Sequence, residues 1–295
     1  MIKSIPASTF SSTFRDYLAL TKPRIVALLI FTTIAAMIVA RPTVGLNIFL
    51  ATVMGGSFAA AGASAINQYI DREIDAQMSR TKNRPIPGGR IRPVNALIFG
   101  LALIAWSTFI LLVMVNEMAA LLALIGAAYY VLLYTLILKR NTALNIIIGG
   151  GAGAMPVLVG WAAATGGLSF QAYLLFAIIF FWTPPHSWAL AVLVNADYER
   201  VDIPMLPVAH GAEFTRLQIV WYSLQLVILT LLPFPLGMLG MFYLGAALLL
   251  GAGLMWKSFV LLQAATKLTA RQMYKYSSLY LALLFLAMII DKVFF

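Results

Sequence analysis

Nine stretches of this chain are apolar for long enough to cross a bilayer, and no other feature restricts its fold so severely. A hydrocarbon layer takes roughly 17–25 helical residues. Runs of about that length lie near residues 25–40, 46–66, 94–116, 118–138, 143–164, 168–194, 215–238, 241–262 and 276–294. Of the 295 residues 62% are hydrophobic and only 10% charged, against about 25% charged in soluble domains. In water so few polar groups could not cover so much apolar surface; in lipid they do not have to. The expected fold is all-α, a polytopic membrane protein with nine transmembrane helices in a bundle, forming one domain over 1–295. Residues 1–24 carry no apolar core with a cleavage site, so they are read as a retained cytosolic arm. The absence of cysteine rules out disulfides, thiolate nucleophiles and cysteine metal ligands.

The distribution of charge gives an orientation. An odd number of spans puts the termini on opposite sides. With the N-terminus in the cytosol, Lys3, Arg15, Lys22 and Arg24 lie inside, followed by Arg72, Arg80, Lys82, Arg84, Arg90 and Arg92. Lys139, Arg140, Arg200, Arg216, Lys257, Lys267, Arg271 and Lys275 fall in later inside loops, leaving only Arg41 and Lys292 outside. Most of the +10 net charge is therefore topology. The lipid bilayer is an expected partner and nucleic acid is not.

The ten acids carry more information, because six of them occupy two short segments: Asp71, Glu73 and Asp75, then Asp197, Glu199 and Asp202. Each segment follows an apolar run at its cytosolic end, and four spans separate them. Orientation is preserved across an even number of spans. The chain therefore reads as two parallel four-helix halves, about 25–138 and 143–262, plus the helix 276–294.

If the second span continues through the first segment, Asn67, Asp71 and Asp75 at i, i+4 and i+8 form one stripe, advancing about 40° per step. Two carboxylates and a carboxamide suit Mg²⁺, which completes its shell with water and phosphate oxygens. Arg80, Lys82 and Arg84 follow at once and can clamp phosphate. Acids and bases together can also merely solvate a loop. Against that reading, Asn67 and Asp71 stand at the membrane edge, where unpaired polar groups are costly. The combination describes a diphosphate site.

The sequence N-Q-Y-I-D-R-E-I-D, residues 67–75, followed by R-T-K-N-R-P, residues 80–85, resembles the first aspartate-rich motif of the UbiA superfamily of intramembrane prenyltransferases. Within it, the chain resembles the protoheme IX farnesyltransferases, or heme O synthases. The specific stretches are Thr21-Lys22-Pro23-Arg24, the G-G-G-A-G-A-M-P run 149–156, P-P-H-S-W-A at 184–189, and Asp197-Tyr198 with I-P-M-L-P-V at 203–208. The second acidic motif departs from the usual D-x-x-x-D. Asp197 and Asp202 are five apart, about 140° around a helix. Asp197 is the safer site residue, and Asp202 counts only if the helix has ended before Pro204.

The resemblance implies transfer of a farnesyl group from farnesyl diphosphate to a vinyl group of heme B with addition of water, giving heme O and diphosphate, in the bacterial cytoplasmic (inner) membrane with the acids facing the cytosol. Heme B would be substrate, not cofactor. A downstream heme-modifying enzyme or terminal oxidase would be the partner receiving the product. Asn67, Asp71, Asp75 and Asp197 are the expected catalytic and Mg²⁺ residues, and Arg80, Lys82, Arg84, Lys139 and Arg140 the diphosphate residues. His186, beside Pro184 and Pro185 in the sixth span, is the candidate heme contact; His210 is expected in a solvated cytosolic loop. Tyr69, Tyr129, Tyr130 and Tyr134 could face an allylic cation. The glycines at 149–153 are read as close helix packing. Three other functions compete: prenyl transfer to another aromatic acceptor such as 4-hydroxybenzoate, a secondary transporter, which should place its polar groups nearer the midplane, and an assembly subunit.

Overall fold

The computed structural model describes residues 10–295, and these are helical nearly throughout. The spans are α2 (Pro23–Ala40), α3 (Leu46–Ile70), α5 (Pro93–Met114), α6 (Glu117–Asn141), α7 (Asn145–Thr165), α8 (Phe170–Leu193), α10 (Leu206–Leu231), α11 (Met241–Ala264) and α12 (Lys267–Phe294). Among the described residues these nine helices are long and apolar enough to cross a membrane, as the apolar runs lead one to expect. Three short helices complete the fold: α1 (Phe10–Leu20), α4 (Arg72–Gln77) and α9 (Asn195–Glu199). Many large apolar side chains, among them Trp106, Leu249 and Trp256, face outward, as a lipid-facing surface requires.

Two helices begin earlier than the apolar pattern indicates. α10 starts at Leu206 instead of 215 and is broken at Gly211, whose φ of 83° is open to glycine at no steric cost. His210 therefore ends a short helical turn; its ring is exposed and lies 5.5 Å from that of Phe214. α12 starts at Lys267 instead of 276, because Thr266 and Thr269 cap each other's backbone N–H groups in a reciprocal box. Arg216, Lys267, Arg271 and Lys275 consequently ride on helices, not in loops, and Lys257 lies within α11. A search for apolar runs overlooks polar first and last turns.

Part of the expected arm is ordered as α1; Lys3 lies outside the described residues. Leu20 is fully buried, Tyr17 packs edge-on against Phe99 at 5.0 Å, Asp16 pairs with Arg90 at 2.8 Å, and the Gln68 amide donates to the carbonyl of Leu20 at 2.8 Å. These contacts fix the entry to α2. There Lys22 adopts a left-handed conformation (φ 51°, ψ 61°) and Pro23 begins the helix, where its missing N–H has no intrahelical partner to lose.

Below that entry α2 meets α7 backbone to backbone. A methyl group placed on Gly160 would stand 2.2 Å from the carbonyl oxygen of Thr33. At the opposite end of the bundle buried Asp291 of α12 accepts from the N–H groups of Gly240 (2.5 Å) and Tyr243 (2.9 Å), supplying the first turn of α11 with the acceptor that helix starts lack.

Candidate active site

The site is built where α3 ends. The helical hydrogen bonds run on from Asn67 to Asp71 (2.9 Å) and from Asp71 to Asp75 (2.8 Å), although Asp71 itself bends the axis between α3 and α4. The expected stripe therefore exists: Asn67, Asp71 and Asp75 are all buried, while Glu73 points to solvent and pairs with Arg72 at 3.1 Å. Asn67 links the stripe together. Its amide nitrogen donates to Asp71 Oδ2 (2.9 Å) and to Thr135 Oγ1 (3.1 Å), and its oxygen accepts from Lys22 Nζ (2.9 Å).

The basic residues arrive from three directions. Lys139 Nζ reaches Asp71 Oδ2 at 2.5 Å, Arg140 lies 3.5 Å from Oδ1, and Arg84 holds Asp75 at 2.6 Å. Arg80 and Lys82 are exposed at the rim. Lys22 is tucked under these cations. Burial, with Arg84 and Lys139 adding to it, lowers its pKa from 10.5 to about 7.

α6 can deliver Lys139 to this place because its C-terminal half, Tyr129–Leu138, is a π-helix. In an α-helix, at about 100° per residue, Tyr130 and Lys139 would face opposite ways. With i→i+5 bonding each residue turns roughly 80°, and the two share a face. Tyr130 and Tyr134 stack at 5.7 Å on that face, and Thr135 bonds back to the carbonyl of Tyr130.

The second acidic segment closes the site. Asp197 of α9 accepts from the hydroxyl and the N–H of Ser79, just beyond α4, and from Arg200 at 3.2 Å. The Ser79 hydroxyl, more than the nearby N–H groups and Arg200, holds its carboxyl below the usual carboxylate range. Asp202 follows the end of α9, but it sits exposed in a left-handed turn (φ 51°), away from this network.

Beneath Lys22 opens a cavity of about 310 Å³ between α2, α3, α6, α7 and α8. Thr21, Lys22, Tyr130 and Tyr134 stand at its head, and small or apolar groups such as Gly56, Ala59, Ala63, Ala123 and Gly126 line its body. Gly149, Gly150 and Gly153 line it too, so the glycine run does more than pack. Gly149 takes the Tyr134 ring, where a methyl would lie 2.3 Å from Cδ2, while a methyl on Gly153 would meet nothing within 4 Å. Two of the four tyrosines singled out lie elsewhere: Tyr69 packs beneath Arg72 (4.9 Å), and the Tyr129 hydroxyl bonds the carbonyl of Ile148.

His186 does not line this cavity, though its neighbours Thr183 and Ser187 do. Its ring lies between Trp182 (4.3 Å) and Tyr274 (4.7 Å), with Nδ1 2.9 Å from Ser277 Oγ. Lys22, Thr135 and Ser79 are site residues that spacing alone does not reveal. The Lys22-Pro23 pair at the head of a span is the available signal for the first.

The residues fit a divalent cation in one respect. Asp71 Oδ1 is a buried carboxylate oxygen without a hydrogen-bond donor, the kind of atom a hard cation satisfies. Among the described residues no three histidine or acidic side chains cluster, so water and phosphate oxygens would complete the shell.

The fold has counterparts of known structure. The protein of a study on digeranylgeranylglyceryl phosphate synthase superimposes with a TM-score of 0.79 over 95% of this chain and 99% of that one, at 22% identity. A UbiA homologue from Archaeoglobus fulgidus, solved bound to DMAPP and Mg²⁺, does so with 0.69 over 93% and 99%, at 19% identity. The fold is thus that of the UbiA-type membrane bundle.

The family model described as the UbiA prenyltransferase family matches residues 28–287, and the chain belongs to that family. It is 49% identical over 294 residues to a protoheme IX farnesyltransferase of Gloeobacter violaceus, covering 99% of this chain and 96% of that protein. It is 50% identical over 291 residues to a protein of the same name from Thermus thermophilus, covering 98% of this chain but 48% of that protein. The chain spans about half the length of the first such relatives.

Proposed function

We propose that this protein transfers the farnesyl group of farnesyl diphosphate to a vinyl group of heme B, with addition of water, releasing diphosphate and heme O. The observation that carries the proposal is the cavity with a cationic, hydrogen-bonding head at Lys22 and Asn67 and an apolar body reaching into the bundle. It suits an amphiphile with a charged head and a hydrocarbon tail. The similarity to protoheme IX farnesyltransferases supports heme as the acceptor.

The carbon–oxygen bond of the donor breaks as negative charge gathers on the diphosphate. Lys22 at the head of the cavity, with Arg84, Lys139 and Arg140 paired to Asp75 and Asp71 beside it, receives that charge; such preorganised cations are worth about 10²–10³ in rate apiece. Asp71 and Asp75, with Asp197 nearby, would hold Mg²⁺, which would supply further neutralisation of the leaving group. Asn67 holds Lys22 and Asp71 in register and so acts as a positioning residue. The rings of Tyr130 and Tyr134 face the emerging allylic carbon, and the dry body of the cavity keeps water from it. The vinyl group attacks that carbon. Water then adds to the cation left beside the porphyrin and loses a proton.

His186 is the proposed heme contact. With the Ser277 and Ser278 hydroxyls donating to the carbonyl of Tyr274 (2.9 and 3.1 Å), Ser277 Oγ is free to accept from His186 Nδ1, the tautomer this reading assigns. The Nε2 lone pair is left for heme iron. In the same reading the acids face the cytosol of a bacterial cell, the two halves of the bundle are parallel, and the product passes to a downstream heme-modifying enzyme or oxidase.

The test is incubation of the purified protein with heme B, farnesyl diphosphate and Mg²⁺, followed by chromatography of extracted hemes. A farnesylated heme supports the proposal. Farnesylated 4-hydroxybenzoate in a parallel reaction, with heme unchanged, overturns it. A heme Soret shift that is lost in His186→Ala supports the iron contact.

A further inference from the structure

The depth of the cavity can be read from its lining, since each wall is a helix rising about 1.5 Å per residue. On α3 the lining runs from Ser64, one turn inside Asn67, to Gly56; on α2 from Lys22 to Thr33; on α6 from Tyr130 to Leu122; and on α7 from Ile146 to Val159. The deepest lining residues, Thr33, Gly56, Leu122 and Val159, thus lie about 12–20 Å below the cytosolic head on their respective helices. Just beyond them two features bound the cavity. α2 and α7 touch at Thr33 and Gly160, where not even a methyl group fits, and Leu122 is almost wholly buried. A prenyl chain advances roughly 5 Å per isoprene unit, four carbon–carbon bonds at about 1.25 Å of advance each. Three units measure about 15 Å and four about 20 Å.

We propose that this cavity is a length gauge for the donor, with Leu122 and the Thr33–Gly160 crossing as its floor and Gly153 as the gap through which the third isoprene unit passes. The inference rests on the donor half of the proposed function, not on the acceptor. Gly153 is the decisive position. It lies on α7 between the head, where Gly149 meets Tyr134, and the floor at Val159; it lines the cavity, and a methyl group there would meet nothing within 4 Å. A leucine at 153 starts from that open Cβ position and would extend into the room of the outer isoprene unit, and leucine is a better helix former than glycine.

The experiment measures binding of unreactive geranyl, farnesyl and geranylgeranyl thiolodiphosphates to the purified full chain, with Mg²⁺. The wild type is expected to prefer farnesyl. Gly153→Leu should shift the geranyl-to-farnesyl affinity ratio at least tenfold toward geranyl, and Leu122→Ala should shift the farnesyl-to-geranylgeranyl ratio about tenfold toward the longer chain, the scale on which apolar pockets discriminate by added carbons. Unchanged ratios in both variants, or equal loss of all three ligands, overturn the gauge. The readout needs no acceptor. A wild type that fails to prenylate heme, yet shows these shifts, refutes the acceptor and leaves the gauge standing.

Discussion

Asp71 offers the sharpest division between an acid that holds the bundle together and an acid that does chemistry. Its carboxylate is 1% exposed, is bonded through Oδ2 to Lys139 at 2.5 Å and to Asn67 at 2.9 Å, and has Arg140 at 3.5 Å from Oδ1. Asp71→Asn keeps the shape and removes the charge. Breaking a buried pair from one side costs about 3–5 kcal/mol; Arg140 is largely solvated and Lys139 is 12% exposed, so the lower end, about 3 kcal/mol, is expected here. That should appear as a lower midpoint of thermal unfolding in detergent. Lys139→Met on the Asp71→Asn background removes the orphaned cation, and most of the lost stability should return, because replacing both partners is far cheaper than replacing one. Prenyl transfer should not return. If Asp71 holds the metal and its diphosphate, both the single and the double variant stay at least 10²-fold slow. Recovery of activity together with stability in the double variant would refute the catalytic assignment and leave Asp71 a structural ion pair.

Other expectations follow from the same geometry. Lys22 carries its proton only below about pH 7 in the free protein, and a bound diphosphate would restore it. Donor affinity should therefore fall by up to tenfold per unit above pH 7, measured as analogue Kd against pH, and Lys22→Met should flatten that dependence; an equal slope in the variant would exclude Lys22. The unfolded chain binds this proton up to the ordinary lysine value of 10.5, so the Lys22 contribution to stability rises with pH between 7 and 10.5. Gly160→Ala should force α2 from α7 at Thr33 and cost about 1–3 kcal/mol, seen in the unfolding midpoint; an unchanged midpoint would show that the crossing can relax. Ser79→Ala removes the chief hydrogen bond to Asp197 and should raise that carboxyl's pKa, moving the acid limb of the pH–rate profile upward. A profile identical to wild type would remove Asp197 from the reaction.

Much of this is legible in the chain because a membrane makes polarity expensive. Nine apolar runs become nine spans among the described residues, and the rare polar groups at Asn67, Asp71 and Asp75 stay on one face because the helical hydrogen bonds continue past the bend at Asp71. What the sequence conceals is geometry that departs from the 3.6-residue period. Nothing in Y-Y-V-L-L-Y-T-L-I-L announces a π-helix, so the meeting of Tyr130, Thr135 and Lys139 with Asn67 and Asp71 cannot be read from spacing. Small residues are equally ambiguous. Gly160 lets two backbones touch, whereas Gly153, seven residues earlier on the same helix, borders open space, and only the neighbouring helices decide between packing and cavity. In the sequence Lys22 is one more cytosolic charge, because its contact with Asn67 depends on a left-handed turn before Pro23.

The central claim is that the acids, cations and cavity around Asp71 form one site that ionises farnesyl diphosphate and delivers the allyl group to heme. Mass spectrometry of hemes extracted after reaction of the purified protein with heme B, farnesyl diphosphate and Mg²⁺ tests it most directly, with the Asp71→Asn, Lys139→Met double variant as the folded comparison. The account expects a heme heavier by one farnesyl group and one hydroxyl group from the wild type, and none above background from the variant. Unaltered heme B from an active, folded wild type, or equal product from both proteins, would contradict it.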